Sequence, residues 1–250
     1  MLTKHVVCTN RNTFLAYSTY WENSGLDFEY LVDTTSGILI PDHKFVSYDQ
    51  ATVRNDFSFT AEVSKQHYWN PFGNRNIIWF YAHLRMAWYW LHHPGYDFYW
   101  FYDDDLTVAD WNPLHSAYEK NDTDFISYYV FKEQSVESQP NIPKIDNNTS
   151  SGNNWFNRFP GPGDILPSNT TELFGSFFPI VRLSSKALSL LTDLLKEGIY
   201  GYSEGFVPTI LNHHNYTLDT FFDSNSNSKY FDNSKVQVKH KNDFINWSWI

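Results

Sequence analysis

Along this chain the spacing of apolar and polar positions keeps changing, and each change marks an element. Residues 5–9, His-Val-Val-Cys-Thr, form a short apolar run that predicts a buried first strand, and residues 12–21 predict a helix behind it. Residues 27–33 alternate and run into Thr-Thr-Ser-Gly, a strand followed by a turn; residues 44–49 predict a third strand. The clearest helix covers residues 76–93, where Ile77, Ile78, Trp79, Phe80, Leu84, Met86, Trp88, Trp90 and Leu91 make most sides apolar. Such a helix is buried, and Pro94-Gly95 stops it. Residues 96–102 then predict an aromatic strand that ends directly in Asp103-Asp104-Asp105.

The second half continues the pattern. Residues 125–131 predict a strand, and residues 132–154, rich in Ser, Asn, Gln and Pro, predict a long loop that Phe159-Pro160-Gly161-Pro162-Gly163 extends. Residues 177–183 read as a strand and 184–196 as a helix capped by Ser184. Ser203 is expected to cap a further helix to about His213, and residues 216–222 and 235–238 predict late strands. His92-His93 and His213-His214 fall at helix ends, where satisfying terminal carbonyls is a better reading than binding metal. Strands alternating with helices predict an α/β fold with a mainly parallel sheet. No internal repeat or linker divides the 250 residues, so one domain over 1–250 is expected.

Composition narrows the function. The formal net charge is −10 and no Lys/Arg run occurs, which argues against a nucleic-acid partner. Aromatic residues make up 19% of the chain, enough to fill a core and still line a cleft where rings stack on sugars. Cys8 is the one cysteine, so no intrachain disulfide or cysteine-based zinc site can form. That fits a reducing compartment. Residues 1–10 carry no apolar signal stretch, and the apolar region 77–91 is too short and mixed to span a membrane. The expectation is a cytoplasmic protein without a transmembrane segment. A lumenal Golgi location would suit a trimmed piece, in which the Asn-x-Ser/Thr triplets at Asn121, Asn147, Asn148, Asn169, Asn215 and Asn246 could matter.

The chemistry concentrates in Tyr99-Trp100-Phe101-Tyr102-Asp103-Asp104-Asp105. Three adjacent carboxylates repel one another, and a divalent cation offsets the repulsion because hard oxygen ligands suit Mg²⁺ or Mn²⁺. Open α/β sheets bind ligands outside the carboxyl ends of their strands. A metal held there could bridge phosphate oxygens; the plainer alternative is a solvated acidic turn.

A hydrophobic strand entering Asp-x-Asp well after a first N-terminal strand resembles the GT-A fold of nucleotide-sugar-dependent glycosyltransferases. The resemblance implies a Rossmann-like, mixed, mostly parallel central sheet flanked by helices. It also implies a nucleotide-binding half at 1–110 and an acceptor-binding and catalytic half at 111–250. The implied reaction is sugar transfer from a nucleotide-sugar donor, of UDP type, to a hydroxyl of a glycan acceptor, with Mn²⁺ or Mg²⁺. Asp103 and Asp105 match the Asp-x-Asp positions, with Asp105 as the first choice of metal ligand; Asp103 could instead contact ribose or sugar. Asp104 is the variable middle position on the donor side. His240, in Val-Lys-His-Lys, matches the family's late metal-binding histidine, and Lys241 could meet the pyrophosphate.

Gly175, in Phe-Gly-Ser-Phe-Phe, would let backbone approach the donor, or would be a turn glycine before a strand. Arg182 could neutralise phosphate or pair with a surface acid. Glu204, in Tyr-Ser-Glu-Gly-Phe, matches the acidic helix start that supplies the general base, which implies inversion. The family shows a second acid after the first, where this chain has Gly205; Glu204 could alternatively serve as a favourable helix N-terminal charge. Thr9, Asn10 and Arg11, after the first strand, and Asp33, after the second, are placed to meet base or ribose. Arg85 sits in an apolar helix and needs an acidic or phosphate partner: donor phosphate, or a buried salt bridge. Trp111, Trp155 and Arg158 are candidates for the acceptor side.

Other classes share parts of the pattern. Phe101 to Val108 also resembles the first motif of haloacid-dehalogenase-like phosphatases, although that motif normally opens the chain and no later Lys with paired Asp follows. A glycan-binding module without activity could use the aromatics but would have no need of three aspartates at a strand end.

Overall fold

A computed structural model of the chain describes residues 1–35, 45–57, 81–108, 110–132, 165–221 and 238–240; at residues 11–13, 15–16 and 238–240 only the backbone is described. The chain opens with strand β1 (Thr3–Asn10), helix α1 (Arg11–Glu22), strands β2 (Glu29–Asp33) and β3 (Phe45–Tyr48) and helix α2 (Gln50–Asp56). Helix α3 (Ala82–His92) leads to β4 (Phe98–Asp103), β5 (Leu106–Val108) and helix α4 (Trp111–Tyr118). Strands β6 (Phe125–Lys132) and β7 (Phe174–Ser184), helices α5 (Ser185–Lys196) and α6 (Ser203–His213), and strands β8 (Leu218–Thr220) and β9 (Val238–His240) complete it.

Seven strands form one sheet in the order β3-β2-β1-β4-β7-β6-β8. Neighbours from β3 to β4 are parallel, β7 runs antiparallel to both β4 and β6, and β8 is parallel to β6. The fold is therefore the expected α/β type, a mixed, mostly parallel sheet flanked by helices. Side chains of a strand alternate between faces, and both faces here are apolar. Val6, Cys8, Leu31, Tyr99 and Phe101 pack with Leu84 of α3, Leu188 of α5 and Phe206 of α6. Val7, Trp100 and Tyr102 pack on the other face with Trp21 of α1 and Trp111 of α4. Consequently β4, with every residue from Phe98 to Tyr102 buried, is aromatic on both sides.

Local chemistry explains where helices begin. Ser184 Oγ accepts from Ala187 N–H at 3.1 Å, as its sequence position predicts. Asp49 caps α2 through Thr52 N–H at 2.8 Å, and Asp110 caps α4 through Asn112 N–H at 3.0 Å. Those two helices and β5 were not anticipated. At the end of α3 the imidazoles of His92 and His93 meet the carbonyls of Trp88 and Tyr89 at 2.9 and 3.1 Å.

Two expectations are corrected. Ser203 is the first residue of α6, not its cap; Tyr202 holds the cap position without a side-chain bond. Arg182 is not a surface side chain and stands away from the acidic turn, with Asp122 and Asp124 in its electrostatic surroundings. It is buried, stacks 3.6 Å over the Phe98 ring and donates to the Asn121 and Thr123 carbonyls at the end of β4 away from the aspartates. Burial pulls its guanidinium down to about 10. Residues 76–80, most of the 132–154 loop, 159–163 and 235–237 lie outside the described residues. No helix among the described residues is long and apolar enough to cross a membrane.

Candidate active site

The strand order reverses beside β1: the chain steps outward through β2 and β3 and then returns to place β4 on the other side. The carboxyl ends of β1, β2 and β4 share one edge there, with Asn10 opposite Asp33 and Cys8 opposite Asp103. This topological switch point is where open α/β sheets bind ligands.

The aspartates leave β4 at this edge and do not act alike. Asp103 faces α3, where its Oδ1 lies 3.0 Å from Arg85 Nη2. Burial alone would pull the Arg85 guanidinium down; Cys8, Asp103 and Tyr48 outweigh it and hold it above the ordinary arginine value. The same surroundings push the Cys8 thiol up to about 12, burial being the largest cause. Arg85 is thus engaged in an ion pair, the option its sequence context offered beside donor phosphate, and the pair is half-buried. Asp104 belongs to the opposite face, accepting from Thr9 Oγ1, while its carbonyl accepts from Trp21 Nε1 at 2.7 Å. Asp104 and Asp105 are only 7% and 5% exposed, so the acidic turn is tucked into the protein and is not a solvated one.

Asp105 leads into β5, whose Leu106 pairs with His240 on β9, so the backbone of His240 is brought next to the acidic turn. Tyr17 of α1 is a member of this edge that sequence reasoning missed: burial and the Asp105 and Asp104 carboxylates together push its hydroxyl up. Nothing in the local pattern singles out that tyrosine; only its place on the helix after β1 would have.

Among the described residues, no three His, Cys, Asp or Glu side chains are grouped to hold a metal. A hard cation such as Mg²⁺ does not require such a cage; it binds through one or two carboxylates, substrate phosphates and water. At this strand end Asp103 is paired with Arg85 and Asp104 accepts from Thr9, which leaves Asp105 as the carboxylate closest to that mode.

Other expected residues are placed as follows. Asp33 ends β2 and shapes the turn after it, accepting from Thr35 N–H at 2.9 Å and from Gln50 Nε2 at 3.2 Å. Asn10 is exposed at the end of β1, and Arg11 begins α1. Gly175 lies inside β7, not in a turn before it; a Cβ there would sit 2.2 Å from Cζ of Phe131, its partner on β6. The glycine thus accommodates a ring. Trp111 is 4% exposed and packs against Trp21 and Tyr102 with ring centroids 5.2 and 5.0 Å apart. It is packed as a core residue. Trp155, Arg158 and Lys241 lie outside the described residues.

Glu204 stands in the first turn of α6, alongside β7. Its Oε2 accepts from the Tyr202 hydroxyl and its Oε1 from Phe178 N–H at 3.3 Å. Phe178 lies two residues from Ile180, which pairs with Tyr102, so this carboxylate is beside the strand end that carries the aspartates. Pro208 adds a local cause. It has no N–H to give the carbonyl four residues back, and Ser176 Oγ donates to that Glu204 carbonyl at 2.7 Å. These contacts of Tyr202 and Ser176 with Glu204 were not visible in the sequence.

No family model matches the chain, and no curated protein is similar to it in sequence. Among solved structures it is similar to mouse xyloside xylosyltransferase 1 in its apo form, with 12% identity and a TM-score of 0.44, covering 88% of this chain and 85% of that one. A likeness at that level carries neither a family nor an activity across.

Proposed function

We propose that this chain is a glycosyltransferase that moves a sugar from a nucleotide-sugar donor, of UDP type, to a hydroxyl of a glycan acceptor with inversion. The observation that carries the reading is the acidic turn, half-buried Asp103 and buried Asp104 and Asp105, at the switch point of the sheet, with Glu204 on the neighbouring strand's side.

In this reading the ends of β1 and β2 receive the nucleoside, through Thr9, Asn10, Arg11 and Asp33. Asp105, with Asp103 or His240, would hold Mn²⁺ or Mg²⁺, which supplies positive charge to the diphosphate leaving group. Glu204 takes the proton of the acceptor hydroxyl as that oxygen bonds to the anomeric carbon. The bond from the anomeric carbon to phosphate oxygen breaks, and the nucleoside diphosphate leaves with its electrons. Tyr202 and the Phe178 N–H fix the direction of the carboxylate, which favours attack from one side.

Thermal shift against nucleotide-sugars, with and without Mn²⁺, tests the class. Metal-dependent stabilisation by one donor is expected, and its loss in Asp105→Asn. Glu204→Gln should keep the donor shift and lower kcat by about 10²–10⁴-fold. Wild-type transfer by that variant would remove Glu204 from the chemistry, and no donor response at all would remove the transferase.

A further inference from the structure

We infer that His83, on the neighbouring helix α3, is a positioning residue for Glu204, a role that rests on the transferase reading above. His83 is wholly buried, and its Nδ1 lies 3.0 Å from Ser203 Oγ. Its own backbone N–H donates to the same oxygen at 3.4 Å. One residue therefore grips a single hydroxyl of another helix with both side chain and main chain, and that hydroxyl belongs to the residue just before Glu204.

The start of α6 needs this support. It has no side-chain cap, and Pro208 removes one of its internal hydrogen bonds. Beside the backbone bonds from Gly205 and Phe206 N–H to the Tyr202 carbonyl, its first turn is held from outside by Ser176 on the Glu204 carbonyl and His83 on Ser203. Pinned from a strand and from a helix, the turn presents the carboxylate to Phe178 N–H and the Tyr202 hydroxyl.

The choice of histidine points the same way. Its ring packs on Phe206 with centroids 5.1 Å apart, and Nε2 has no hydrogen-bond partner among the described residues. A phenylalanine would fill that space without burying an unpartnered nitrogen, which is unfavourable. The nitrogen that matters is Nδ1. Burial also pulls this imidazole down to about 3, so the contact stays between neutral groups throughout the neutral range.

The test compares His83→Phe, which keeps the ring, with Ser203→Ala and the double variant. Each single change should lower kcat about tenfold with donor KM kept within about twofold, the mark of a misplaced catalytic group. The double variant should fall no further than either single one, and His83→Asn should recover most of the loss. Full kcat in His83→Phe, or multiplying losses in the double variant, overturns the inference. If His83→Phe does not fold, Ser203→Ala with its kcat and KM carries the comparison.

Absence of transfer by the wild-type chain would sink the transferase reading separately. The coupling is then read without activity, by ¹³C NMR titration of the Glu204 carboxyl. A midpoint moved equally by His83→Phe and Ser203→Ala supports it, and unmoved midpoints refute it.

Discussion

Replacing Arg85 by methionine keeps its length, removes its charge and separates its two possible roles. Its Nη2 lies 3.0 Å from Asp103 Oδ1, where the gross attraction at an effective dielectric of ~20 is about 5 kcal/mol. Desolvation of both ions takes back part of that. The Arg85 side chain is 12% exposed and that of Asp103 30%, so neither is fully stripped of water. Loss of the guanidinium should therefore destabilise by about 2–3 kcal/mol, below the ~3–5 kcal/mol of a fully buried pair. Asp103→Asn leaves the guanidinium facing a neutral acceptor and should cost about 1–2 kcal/mol. The double variant should then lie within about 1 kcal/mol of Asp103→Asn, because the partner left stranded by Arg85→Met is no longer charged. Urea unfolding of the four proteins at pH 7 gives the cycle directly. Additivity within about 0.5 kcal/mol would refute the ion pair as the reason for Arg85 and return it to the donor-contact role.

Gly175→Ala should destabilise by about 1 kcal/mol at most, because its Cβ would meet only the far end of the half-buried Phe131 ring, which can swing aside. Phe131→Leu in the same chain should recover most of that; weakened donor binding at unchanged stability would show instead that the glycine serves the donor. His5, His83 and His115 are held near 4, 3 and 3, burial being the first cause in each. Their folded values lie below the unfolded value near 6.5, so the unfolded chain protonates first and stability, full above about pH 6.5, falls as pH drops toward 4. For the wholly buried His83 the slope reaches about 1.4 kcal/mol per pH unit, and equal urea midpoints at pH 7 and pH 5 would contradict it.

Elements with a strong period of their own were legible in the sequence. The apolar run of β1, the aromatic run of β4 and the Ser184 cap of α5 each carry their signal locally, and each stands where expected. The short helices α2 and α4 escaped because their signal is little more than a capping aspartate, and β5 because it has three residues. At the site, the acidic run and Glu204 were visible as residue types, and the carboxyl end of the sheet was expected as the place of the aspartates. Their partners were not visible. Ser203 looks like a cap until His83, 120 residues earlier, takes its hydroxyl. Gly175 lies against the Phe131 ring and Trp111 against Trp21 and Tyr102, neighbours that the local sequence does not show. Each of these placements depends on a contact distant in sequence, which periodicity cannot encode.

The all-aromatic face-to-face character of β4 has a consequence for tolerance to insertion and deletion. In a strand with one oily side, a one-residue slip exposes every apolar group. Here a slip would exchange ring for ring, and the third acid would step into the berth vacated by the second. Apolar parity therefore does little to choose the frame of this strand; the choice falls to its polar groups, Asp103 on Arg85, the Tyr99 hydroxyl on the His93 carbonyl and the Tyr102 hydroxyl between His5 and His115.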